Sequence, residues 1–165
     1  MATATFQTGT PSGTLLYPSG NIDFTIVTAT FTGLVSSLSY GPNGVPGQNG
    51  QLAIYSDLAG APHTLLGSTA STDQAIGLVS GVQTQALLTS VPVVSGTVYW
   101  LAMSMTNSPS PISTSNSPTS GLQSWGYGSF PTTASYSNGN TWKHWIQANG
   151  VTPPPAVPSS MFLGL

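Results

Sequence analysis

Charge is almost missing from this chain. Its 165 residues include one lysine, three aspartates, no glutamate and no arginine, for a formal net charge of −2. Soluble domains usually give about a quarter of their residues to charge. Here the share is 2%, so the surface has to be made of something else. Lys143 alone cannot neutralise a track of phosphates, which excludes nucleic acid and anionic membrane surfaces as partners. Cysteine is absent, so disulfides and thiolate metal sites are excluded too. No apolar run approaches the roughly 18 residues of a membrane helix. The segment Met1–Phe6 has neither a basic nor an apolar export region, so the product is expected to be either assembled inside the cell that makes it or a secreted protein already trimmed of its leader.

Neutral polarity takes the place of charge: 24 Ser, 22 Thr, 8 Asn and 8 Gln stand beside 19 Gly and 14 Pro. Hydrophobic residues still make up 39%, with 4 Trp, 6 Tyr and 5 Phe, which is enough to build a core and too much for charge-driven disorder. The length fits one domain.

No window keeps a helical period; the repeating signal is β alternation between turn clusters. Strands are expected from Ile22 to Phe31, Leu34–Tyr40, Gln51–Ser56, Thr64–Ser68, Gly77–Ser80, Val82–Leu88, Val91–Val94, Thr97–Met105, Leu122–Phe130 and Trp142–Ala148. Thr97–Met105 is apolar on both sides, with Val98, Trp100 and Ala102 on one face and Tyr99, Leu101 and Met103 on the other. That pattern places it centrally, between two layers. The proline-bearing stretch Thr106–Ser120 is expected to be an exposed loop, and Ser137-Asn138-Gly139-Asn140 a hairpin turn. Short strands separated by frequent turns predict an all-β fold: an antiparallel β-sandwich, jelly-roll-like, over residues 1–150.

From Val151 the composition changes. Val151–Pro158 reads as an extended polyproline II spacer. With the apolar tip Met161-Phe162-Leu163-Gly164-Leu165 it forms a candidate assembly arm over 151–165, in which Pro153, Pro154, Pro155, Met161, Phe162, Leu163 and Leu165 are the named residues. Such an arm either docks on a neighbour, folds back on its own sandwich or simply frays.

Two segments, Ile54-Tyr55-Ser56-Asp57-Leu58-Ala59-Gly60-Ala61-Pro62-His63-Thr64-Leu65-Leu66 and Ser95-Gly96-Thr97-Val98-Tyr99-Trp100-Leu101-Ala102, resemble a bacterial and phage jelly-roll module. That module occurs in secreted choice-of-anchor proteins and in phage virion accessory proteins. The resemblance implies a fold and a setting, and it transfers no catalytic residue, because turn formation and packing account for each matched position.

Chemistry has few candidates. His63 and His144 are the only imidazoles, Asp23, Asp57 and Asp73 are the only carboxylate side chains, and no G-x-S-x-G motif is present, so no catalytic residue and no cofactor are assigned. Asp57 with the carbonyls of its turn is a weak calcium candidate, set against an aspartate that caps its own turn. Trp125, Tyr127, Trp142 and Trp145 are candidates for stacking on sugar rings, set against core packing or a subunit interface.

A neutral sandwich whose strand edges lack guarding charges is expected to associate. The expected function is therefore non-enzymatic: a structural bacteriophage virion protein, either capsid decoration or tail accessory, whose partners are further copies of itself or other virion proteins. The alternatives are a carbohydrate-binding or adhesion module acting on host-surface glycans, and a subunit of an extracellular filament.

Overall fold

Threonine, β-branched and aromatic residues suit a pleated surface, and they recur along most strands of the computed structural model, which describes residues 1–14, 20–41, 49–70, 82–106, 112–114, 120–138 and 144–154. Among the described residues there are twelve strands and no helix. They are β1 (Ala2–Gln7), β2 (Pro11–Thr14), β3 (Asn21–Thr28), β4 (Gly33–Tyr40), β5 (Gly50–Leu58), β6 (Ala61–Ser68), β7 (Gln83–Val93), β8 (Val98–Met105), β9 (Ile112–Thr114), β10 (Ser120–Ser124), β11 (Ser137–Asn138) and β12 (Ile146–Thr152). Two antiparallel sheets pack against each other as a β-sandwich. One is four-stranded, in the order β1-β12-β4-β7, and the other six-stranded, in the order β11-β10-β3-β8-β5-β6; β2 and β9 form a separate pair.

The inter-sheet core joins Phe6, Val35, Leu38, Val91 and Ile146 of the first sheet to Val27, Leu52, Ile54, Leu101 and Met103 of the second. A strand buried on one face alone would leave alternate residues in water. β8 is buried on both faces, as its sequence predicts. Tyr99, Leu101, Met103 and Met105 point between the sheets, while Trp100 and Ala102 enter a second cluster with Ile22, Phe24, Ala53, Tyr55 and Phe130. The two segments that carry the jelly-roll resemblance lie side by side, since β5 pairs with β8 through Ile54↔Leu101, Tyr55↔Trp100 and Ser56↔Tyr99.

The turns divide the sandwich into two ends. At one, β3–β4, β5–β6 and β7–β8 are joined by tight connections. Gly96 N donates to Ala29 O at 2.8 Å, and Ala59 (φ 54°) and Gly60 (φ 83°) form the two-residue hairpin with both central residues left-handed that matches strand twist. The other end carries the long connections.

Several sequence expectations are corrected. β10 stops at Ser124 instead of running to Phe130, because Gly126 and Gly128 (φ 130°) let the chain leave the sheet after Trp125. Thr106–Ser120 is not loop throughout. Ile112–Thr114 pairs with β2, since the stretch between Pro111 and Pro118 is free of proline and three residues suffice for a short ladder. Ser137 and Asn138 are strand, paired with Leu122 and Gly121. β12 begins at Ile146 and continues to Thr152, so Val151 and Thr152 belong to the sheet, opposite Thr3 and Ala2. β1 and β2 lie outside the strands that the alternation predicts. Gly77–Ser80 lies outside the described residues.

Candidate functional site

At the long-loop end, β3 brings Asp23 into the inter-sheet space, and the residue two before β12 brings His144 to meet it. The His144 Nδ1 and Asp23 Oδ2 atoms are in hydrogen-bond contact, with both side chains buried. Thr8 closes over the pair's backbone: its Oγ1 donates to the His144 carbonyl at 3.0 Å and accepts from Ile146 N at 2.9 Å. A carboxylate holding an imidazole is the orienting half of a hydrolytic triad, and a reaction would also need a nucleophile and access for substrate. Here the pair is sealed from solvent, and the Thr8 hydroxyl serves backbone groups. The contact ties β3 of one sheet to the segment that leads into β12 of the other. The phenols nearby stay neutral at ordinary pH. Tyr136 is pushed up by burial and then by the Asp23 carboxylate, and Tyr40 by burial and Tyr127, against a smaller opposing effect of its hydrogen bond from Gln85.

The aromatic-rich stretch after β10 forms a cover over the outer face of the six-stranded sheet. Residues 125–136 are pinned there by Tyr55 Oη donating to Pro131 O at 2.7 Å, Leu65 N to Thr132 O at 3.0 Å and Ala134 N to His63 O at 2.8 Å. Beneath it Phe24 and Tyr55 meet edge to face at 5.3 Å, and Trp100 tilts against Tyr136 at 5.1 Å. Gly121 is required for this fit, since a Cβ there would lie 1.8 Å from the Tyr136 ring.

The sugar-stacking candidates therefore separate. Trp145 is buried and presents no ring to solvent. Trp125 is half-buried against the second core, its indole N–H donating to Ser129 O at 2.7 Å. Tyr127 is half-buried, and Trp142 lies outside the described residues. Asp57 accepts from Gly60 N at 3.2 Å, capping its own turn, and from the buried Trp100 indole N–H at 2.8 Å. Both oxygens serve the fold. The sequence gives no local cue for the second bond, because the partners lie on different strands. His63 is half-buried and contacts Thr64 Oγ1 through Nδ1 at 2.9 Å. Among the described residues, no group of three or more metal-ligating side chains comes together.

The outer face of the four-stranded sheet is built differently. Gln147 Nε2 donates to Asn149 Oδ1 at 2.6 Å, Asn149 Nδ2 to Ser39 Oγ at 2.8 Å, and Ser39 and Thr84 share a hydroxyl bond of 2.7 Å. This neutral ladder crosses β12, β4 and β7. Toward the short-turn end it gives way to an apolar groove of about 400 Å³, where Met1, Leu34, Val94, Val151 and Pro154 form much of the wall. Of the arm residues, Pro153 and Pro154 are exposed and line this groove; Pro155, Met161, Phe162, Leu163 and Leu165 fall outside the described residues.

No known protein family matches the chain, and no curated protein matches its sequence.

Proposed function

We propose that this chain is a non-enzymatic structural protein of a bacteriophage virion, a jelly-roll capsid decoration or tail accessory component that assembles through neutral surfaces. The observation that carries the reading is the open outer face of the four-stranded sheet, which offers hydroxyls, amides and an apolar groove, and no charged side chain among its described residues. Strand order supports the jelly roll. β1 pairs with β12, β3 with β8, β4 with β7 and β5 with β6, so eight strands nest as one long hairpin rolled across two sheets. Folds of that kind serve in viral capsids and in lectins. The burial of Asp23 and His144 favours a structural over a catalytic reading.

Contacts made by apolar burial and neutral hydrogen bonds have few charges to screen. Sedimentation of the purified chain is expected to show the same oligomer in low salt and in about 1 M salt. A monomer under both conditions that also binds no virion particle overturns the reading.

A further inference from the structure

We propose that the groove at the short-turn end of the four-stranded sheet receives the Met161–Leu165 segment of a second copy of this chain. The inference rests on the assembly reading above and names the partner of that surface.

Three observations select this occupant. The first is chemistry. The groove draws on Met1 before β1, Val151 of β12, Leu34 of β4 and Val94 beyond β7, all apolar, and it lies where Leu34 and Val94 are about half exposed. The segment Met-Phe-Leu-Gly-Leu is the chain's most apolar run beyond the sandwich, and neither side has a charged side chain that would have to be desolvated. The second is place. Pro153 and Pro154 are themselves part of the wall, so the chain leaves the sandwich at the groove.

The third is direction. The sequence after Pro154 continues Pro155-Ala156-Val157-Pro158-Ser159-Ser160 before Met161. Each proline fixes its own φ and holds the residue before it extended, so Pro154, Pro155, Val157 and Pro158 all favour a straight course. A spacer with the sequence's polyproline preference kept throughout would, at about 3.1 Å per residue, span roughly 20 Å. A return to the same groove would need a reversal at Pro155-Ala156 or at Ser159-Ser160, whereas a neighbour's groove is reached without one. Exchange of identical segments between copies is a low-cost route to closed assemblies.

Two full-length variants test this by complementation. Leu34→Asp spoils the groove and leaves the arm intact; Leu163→Asp does the reverse. Each alone is expected to weaken self-association about tenfold or more, because a carboxylate would enter an apolar contact. Mixed in equal amounts, they are expected to pair again, since one intact groove then meets one intact arm. Thermal unfolding confirms that each variant is folded, and Val94→Asp repeats the groove test if Leu34→Asp is not. If both variants keep the parent's mass, or if the mixture fails to pair, the exchange is overturned while assembly by other surfaces stands. A parent chain that is itself monomeric overturns this inference alone if it binds a virion particle, and the assembly reading with it if it binds none.

Discussion

The outer face of the six-stranded sheet is covered by residues 125–136 of the same chain, whereas the outer face of the four-stranded sheet stays open among the described residues, with Leu88 71% and Leu34 47% exposed. Both sheets carry apolar residues on that side. On β3, β5 and β8 they are Phe24, Tyr55 and Trp100, large rings that cannot be left in water, and the chain supplies its own lid of Phe130, Ala134 and Tyr136. On β12, β4 and β7 the outward positions are mostly Gln, Asn, Ser and Thr, which satisfy one another and tolerate water, with apolar side chains gathered near one end. The contrast separates a surface that folding must bury from a surface that a neighbour is free to bury.

The strongest way to break that comparison is Trp100→Ala. If the covered face is a true second core, the substitution costs about 3–5 kcal/mol by the usual ledger for large aromatic truncations, and it also strips Asp57 of its indole partner. Chemical denaturation measures it. A loss under about 1 kcal/mol would mean that residues 125–136 merely rest on the sheet, and the two faces would then differ in degree only.

Much of this was legible beforehand where the signal is local. The two-sided apolar run of β8 announced burial between layers, and Asp57 followed by Ala59-Gly60 announced a capped turn. The polar positions of β3 were harder to read. Ile22, Phe24 and Ile26 alternate with Asp23 and Thr25, yet both sets are largely enclosed, the first by the cover and the second by the opposite sheet. Asp23 is acceptable inside because His144 meets it from 121 positions away, a pairing that no local window can display. The cover misleads for a related reason: Trp125 and Tyr127 have the two-residue spacing of a strand, and the glycines beside them, Gly126 and Gly128, the latter at φ 130°, go with the chain leaving the sheet. β1 escaped notice because Ala-Thr-Ala-Thr is too weakly apolar to mark a core strand, and its place comes from pairing with β12.

A smaller effect sharpens the covered side. Burial pushes the Tyr55 phenol well above its usual range, and its hydroxyl donates to Pro131 O in the cover. The unfolded chain releases that proton near pH 10 while the folded chain keeps it, so the unfolded state binds fewer protons and stability falls as pH rises beyond about 10. Tyr55→Phe is expected to cost about 1 kcal/mol at neutral pH through the lost hydrogen bond, and to flatten the alkaline decline. Unfolding midpoints at neutral pH and above pH 10 measure both; an unchanged alkaline slope would place the sensitivity elsewhere, with Tyr40 the next buried phenol to examine.

The smallest effect on stability belongs to the open face. Thr5 is exposed on β1, the edge strand, pairs with Asn149 of β12, and its carbonyl accepts from Thr30 Oγ1 at 3.0 Å through the backbone. Thr5→Lys therefore removes no core contact and no side-chain bond on which the sheet depends, and the change in unfolding free energy is expected to stay within about 0.5 kcal/mol. Its effect on association should be far larger in proportion, because lysine on an edge or an interface is the device that natural sheets use to refuse partners, and this chain has almost none. Sedimentation beside thermal unfolding separates the two quantities. A variant that assembles as its parent does would show that the β1 side of the open face is not where copies meet, and would confine the contact to the groove end of the sheet.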